Sequence, residues 1–177
     1  MTTGAPSSAV PGVAEAYAFC RRITHAHGAN FSVGFRFLPD RKRNAVYAAY
    51  AFCRWADDIV DDPGEDAAAR LDAWERELEA CYAGRPGHAI TVALTDALEY
   101  FPIPKGAFAA LITGCRQDLV KSRYTDFADL LQYCDYVATS ISDISLAIFG
   151  YRTPAATTYG RSLATALQLT NITRDIG

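Results

Sequence analysis

Positive charge is in short supply in this sequence. Lys and Arg total 17 against 20 Asp and Glu among 177 residues, a net charge of -3. That balance gives no reason to expect nucleic acid, whose binding needs concentrated Lys and Arg. Long apolar runs are missing as well: none approaches the ~20 residues needed to span a bilayer. The opening "MTTGAPSSAVPG" has no basic stretch followed by an apolar core. It therefore does not read as a secretory signal, and residues 1–12 read as a flexible leader. Cysteines are few and scattered: Cys20, Cys53, Cys81, Cys115 and Cys134, with no CxxC pair. An odd, widely spaced set argues against a disulfide framework and fits a reducing cytoplasm. Cys20 with His25 and His27 lacks the fourth ligand that a closed zinc site wants. Alternating strand patterns and internal repeats are absent too.

What remains is helical. Half the residues are hydrophobic and 21% are charged, which suits a folded chain with one well-buried core. Apolar spacing predicts helices over 14–28, 30–39, 40–60, 65–84, 88–101, 104–120, 126–150 and 153–177. Their ends carry matching signals: Gly28 and Gly84 as stops, Asp40 as a cap, and Pro63 and Pro102 as breakers. The segment 126–150 contains a weaker stretch, "TSISD". The expectation is a single all-α domain over 1–177. Trp55 and Trp74 read as packing residues. His25, His27 and the "RKR" of Arg41 to Arg43 read as solvated.

Two polar clusters interrupt this pattern. In "CRWADDIVDDP" four aspartates crowd the end of an apolar helix, directly after "VYAAYAF". Like charges so close repel, and carboxylates at a helix C-terminus oppose the macrodipole. Asp57 and Asp61 share one helical face, and Asp58 and Asp62 form a second such pair. Carboxylates at that spacing can share a hard cation such as Mg2+, which takes oxygen ligands and often bridges carboxylates to phosphates. The second cluster is "QLTNITRD". Asn171 and Asp175 are again one turn apart, with Gln168 one turn earlier on roughly the same face. Two such rows on separate helices point to a shared site for cations and phosphate. The structural alternatives are a solvated helix end and an interhelical hydrogen-bond network.

The stretches "ANFSVGFRFLPDRKRNAVYAAYAFCRWADDIVDD", "LQYCDYVA" and "ALQLTNITRDIG" together resemble the squalene/phytoene synthases, in family order and spacing from about Ala14 onward. The resemblance implies an isoprenoid-synthase-type helical bundle around a central cavity. It implies a Mg2+-dependent transferase, with Mn2+ as the alternative ion, that condenses two prenyl diphosphates head-to-head through a cyclopropyl intermediate. It leaves open whether a reduction with NADPH follows. By resemblance, Asp57, Asp61, Asn171 and Asp175 hold metal, with Asp58 and Asp62 in support. Arg54 contacts diphosphate, with Gln168 and Arg174 beside the second metal motif. Tyr133 lies near the reacting centre, and Phe31, Phe35 and Tyr50 line the prenyl cavity. The expected partners are prenyl diphosphates, with peripheral membrane contact because such substrates are greasy; oligomeric state is left open.

The sequence also departs from the family pattern. Thr139, Ser142 and Ala164 stand where glycines are usual, and Gly28 where a serine is. Those changes keep open transfer of a prenyl group to another acceptor, such as an aromatic ring, and an inactive interaction protein. The acidic residue expected four positions after Asp175 lies past Gly177. The expectation is a bundle truncated at its C-terminus and inactive by itself. Apolar faces of 133–149 and 153–176 should then be uncovered.

Overall fold

The computed structural model describes residues 10–27, 34–61, 66–121 and 123–176, with Asp175 and Ile176 as backbone only. The described residues form an all-α bundle without strands. Residues 1–9 of the leader expected over 1–12 fall outside them, as do Gly28, Phe31, Asp62 and residues 30–33 of the helix expected at 30–39; the rest of that stretch is helical only at 34–35 and then turns.

The helices are α1 (Val13–His27), α2 (Asp40–Asp61), α3 (Ala67–Tyr82), α4 (Ala89–Leu98) and α5 (Lys105–Asp118). After them come α6 (Phe127–Cys134), a π-helical turn (Asp135–Thr139), α7 (Ser140–Phe149) and α8 (Ala155–Ile176). The 22-residue α2 is the central element and packs against α1, α3, α4, α5 and α7. Its sequence explains this position. Ala45, Ala48, Ala49, Ala51 and Ala56 are all buried and let neighbouring backbones come close on several sides. Phe52 fills the centre, stacked on Trp74 with ring centroids 4.7 Å apart and edge-on to Phe108 at the same separation. Trp74 is thus a core residue, and Trp55 packs at the boundary against Phe19 and His88.

Local signals fix the helix starts. Before α4, the backbone N–H of Ile90 donates to His88 Nδ1 at 3.2 Å, and the His88 N–H donates to Thr91 Oγ1 at 3.2 Å, a reciprocal cap. Before α6, the Asp129 N–H donates to Asp126 Oδ1 at 2.9 Å. Cys20 is fully buried while His25 and His27 are exposed, so these three do not converge. All five cysteines are free and buried.

The helix expected over 126–150 is broken by the π turn, just ahead of the weak "TSISD" stretch. Its partner on α5 is Gly114, where a Cβ atom would stand 2.4 Å from Val137 Cγ1 and 3.2 Å from Tyr136 Cβ. Only a residue without a side chain lets the two segments approach so closely. Ser142 is buried against Gly160 of α8, where an added Cβ would be 2.7 Å from its Oγ. The Thr139 hydroxyl donates to the Asp135 carbonyl at 2.5 Å. Thr139 and Ser142 are therefore taken up by helix packing, and neither lines the cavities described below. On α8, Tyr159, Leu163 and Leu167 are exposed. Among the described residues no helix is long and apolar enough to cross a membrane.

Candidate active site

The C-terminal end of α2 faces α8 across a cavity of about 510 Å³. Arg54, Asp57, Val60 and Asp61 line it from α2, Gln168, Asn171 and Arg174 from α8, Cys115 and Asp118 from α5, and Tyr133 from α6. The periodicity that put Asp57 and Asp61 on one face, and Gln168 and Asn171 on another, turns both faces inward to the same space. Asp58 is not part of this wall; its carboxylate lies 2.5 Å from Arg54 Nη2, on the flank of α2. The backbone of Asp175 continues α8, while its side chain is outside the described atoms, as is all of Asp62.

The charges in this cavity are poorly compensated. Burial pushes the Asp57 carboxyl up to about 6, and the neighbouring Asp61 and Asp58 add to the shift. The Cys115 thiol, donating to Asp57 Oδ1 at 3.4 Å, and Arg54 act against it. Partial burial works against the Arg54 charge, but Asp58, Asp61 and Asp57 outweigh it and hold the guanidinium protonated. Arg54 Nη2 also donates to Asp61 Oδ2 at 3.1 Å, while its Nε is buried without a partner. Burial likewise raises the Asp118 carboxyl, which accepts a bond from the Tyr133 hydroxyl at 3.0 Å. Cys115 and Asp118 carry no spacing signal in the sequence beyond the amphipathic pattern of α5. Only the tertiary fold brings them to the site.

A second cavity, of about 540 Å³, runs along α2 from the first. Its walls are apolar: Phe35, Val46, Ala49 and Tyr50 on one side, Ile144, Ile148 and Phe149 of α7 on the other. It shares Arg54, Asp57 and Asn171 with the polar cavity. Phe35 and Tyr50 thus lie where an apolar chain would run. The span of α2 from Val46 to Asp57 is about 16 Å at the helical rise per residue.

The donors of the polar cavity suit a hard cation. They are carboxylate and amide oxygens from Asp57, Asp61, Asp118, Gln168 and Asn171, and a cation would relieve the buried charge on Asp57. Among the described residues no three His, Cys, Asp or Glu side chains are placed to hold a metal by themselves. A cation here would complete its shell with oxygens of water or phosphate, which is how Mg2+ is usually bound.

The chain matches the squalene/phytoene synthase family over residues 24–177. It is 38% identical to the 15-cis-phytoene synthase of Synechococcus elongatus, the match covering 100% of this chain and 62% of that protein. It is 37% identical to the chloroplastic phytoene synthase 1 of Zea mays, covering 94% of this chain and 42% of that one. Among solved structures it resembles squalene synthase HpnC from Alicyclobacillus acidocaldarius, with a TM-score of 0.84 and 35% identity over 90% of this chain and 60% of that one. A dehydrosqualene synthase crystallised with a ligand gives a TM-score of 0.82 and 33% identity, over 90% of this chain and 56% of the other. The chain thus spans between about two fifths and three fifths of the length of these relatives.

Proposed function

The chain belongs to the squalene/phytoene synthase family, and from that membership and the paired cavities we propose that it carries the diphosphate-binding end of a Mg2+-dependent enzyme condensing two prenyl diphosphates head-to-head. One observation carries this reading: a charged cavity and an apolar cavity meet at Arg54, Asp57 and Asn171. A molecule with an anionic head and a long hydrocarbon tail fits that junction, and a prenyl diphosphate is such a molecule.

In this reading Arg54 and Arg174 take phosphate oxygens, with Gln168 and Asn171 donating from their amides. Asp57, Asp61, Asn171 and Asp175 would hold the metal, with Asp58 and Asp62 beside them. Bound Mg2+ supplies neutralisation of the charge that builds on the departing diphosphate. The tail lies along Phe35, Val46, Ala49 and Tyr50. Loss of diphosphate leaves an allylic cation, which water would quench. Apolar walls keep water out, and the faces of Phe35 and Tyr50 tolerate positive charge. The double bond of a second prenyl diphosphate then attacks the cation, and loss of a proton closes the cyclopropane.

Calorimetry with non-ionising thiolo analogues tests the head-and-tail assignment. With Mg2+ present, a prenyl thiolodiphosphate is expected to bind well over tenfold more tightly than inorganic pyrophosphate, since each buried methylene adds about 0.8 kcal/mol. Arg54→Gln should weaken both ligands, whereas Ile144→Asp should weaken only the prenyl one. Equal affinity for pyrophosphate and the prenyl analogue would rule the assignment out.

A further inference from the structure

We infer that Asp118 is a positioning residue of the polar cavity: from α5 it holds the Tyr133 hydroxyl in the cavity wall and fixes which way that hydroxyl points. This rests on the reaction proposed above for what Tyr133 does in turnover, but not for the pairing itself.

Asp118 lines the cavity one helical turn after Cys115, whose thiol bonds Asp57. The Tyr133 hydroxyl donates to Asp118 Oδ2 at 3.0 Å. A phenol has a single proton, and here it is committed to a carboxylate. What Tyr133 presents to the cavity is therefore the lone pairs of its oxygen, an acceptor suited to positive charge or to a proton. Without Asp118 the hydroxyl could rotate and present its proton instead.

Other contacts hold the pair. The Tyr133 ring lies 5.3 Å from the Tyr124 ring, and Lys121 sits over Tyr124 at 5.0 Å. Lys121 pairs with Asp129, and the Thr125 N–H donates to Asp129 Oδ2 at 2.9 Å, tying the connection between α5 and α6 to the first turn of α6. On the backbone side, Gly114 admits Val137 one turn away from the Asp118–Tyr133 bond on both partners. Gly114 sets the distance between the segments, and Asp118 uses that distance to reach the hydroxyl.

The test combines a double-mutant cycle with a signal independent of turnover. Asp118→Asn, Tyr133→Phe and the double variant are assayed for kcat and KM with farnesyl and geranylgeranyl diphosphates and Mg2+. The protein is also labelled with 3-fluorotyrosine, and the Tyr133 19F resonance is assigned by its loss in Tyr133→Phe. Expected are a fall in kcat of about 100-fold in Asp118→Asn, the usual effect of misplacing a reacting group, with KM little changed. No further fall is expected when Tyr133 is already Phe, and Asp118→Glu should recover part of the loss. The Tyr133 resonance should shift in Asp118→Asn and in Gly114→Ala without substrate, with the signals of tyrosines other than the neighbouring Tyr124 and Tyr136 in place. An unmoved resonance, or an equal loss from Asp118→Asn in both backgrounds, would overturn the inference. If the unaltered protein turns over neither substrate, the proposed reaction fails, and the resonance alone decides the Asp118–Tyr133 pair.

Discussion

Asp57 is partly buried beside two other carboxylates, with Arg54 and a thiol acting against their effect. Such a group is costly unless a cation or a charged ligand joins it. Arg54 has the matching property: its Nε is buried without a partner although its Nη2 serves Asp58 and Asp61. Both are expected to act on ligand more than on fold. Asp57→Asn and Asp61→Asn should each cut prenyl-diphosphate turnover at least ~100-fold, because the charge stabilisation supplied through a metal is worth several kcal/mol. Their thermal melts should stay within a few degrees of the unaltered protein, and turnover near normal in both would exclude the metal role. The sequence made these residues legible, together with Gln168 and Asn171, because each pair repeats at one helical turn and breaks an apolar pattern. Asp118 and Cys115 escaped notice for a physical reason. On α5 they follow the ordinary alternation of an amphipathic helix, and their meaning comes from α2 and α6 standing opposite. Asp58 shows the converse: spacing grouped it with the site, yet it faces Arg54 on the flank.

Helix ends and close approaches carry the next scale. The α4 cap depends on a neutral His88 accepting at Nδ1 from the Ile90 N–H. Burial lowers the His88 pKa from its ordinary 6.5, with Glu77 opposing. The unfolded chain therefore binds a proton at a pH where the folded one does not. The cap's contribution is complete above about pH 6.5 and is lost as pH falls below it toward the lower folded value. Melting temperature should decline over that range, and His88→Asn, which can cap without titrating there, should flatten the decline. An unchanged slope in His88→Asn would assign the pH dependence elsewhere. At the π turn the argument is steric. Gly114→Ala gains about 1 kcal/mol of helix propensity but drives a methyl into Val137, which is β-branched and stiff at χ1. Overpacking of this kind costs ~1–3 kcal/mol, so the variant should be less stable in urea and recover when Val137→Ala is added. Gly160→Ala meets only the rotatable Ser142 hydroxyl and the flexible Leu146 tip, so it should cost less. Helix positions were legible from apolar period and breakers. The π turn was not, because it packs against a glycine on another helix that no local pattern marks.

At the scale of the whole molecule, one alanine-rich helix serves as both the core and the floor of two cavities. Its buried face seats Phe52 against Trp74 and Phe108, and Phe52→Ala should cost ~3–5 kcal/mol, read from the urea midpoint. Its other face carries the apolar cavity from Val46 up to the charged end at Arg54 and Asp57. Ala49 lies on that path one turn after Val46, and Ala49→Phe should shorten it. The ratio of kcat/KM for geranylgeranyl to farnesyl diphosphate should then fall about tenfold or more, the loss expected when methylenes no longer fit. A ratio unaffected by Ala49→Phe would show that the chain runs elsewhere. The all-α bundle and the facing of α2 and α8 followed from helical periodicity and the two polar rows. The apolar cavity did not, since it needs α7 laid against α2, and no local pattern encodes that pairing. In the function proposed above, the charged cavity and the apolar cavity together run a head-to-head condensation. Incubating the purified protein with Mg2+ and farnesyl or geranylgeranyl diphosphate, and identifying the products by mass, tests it most directly. Expected is a hydrocarbon or cyclopropyl diphosphate built from two prenyl units, with release of diphosphate and no product when Mg2+ is chelated. Recovery of only the free prenyl alcohol, or of a prenyl group joined to a different acceptor, would contradict it.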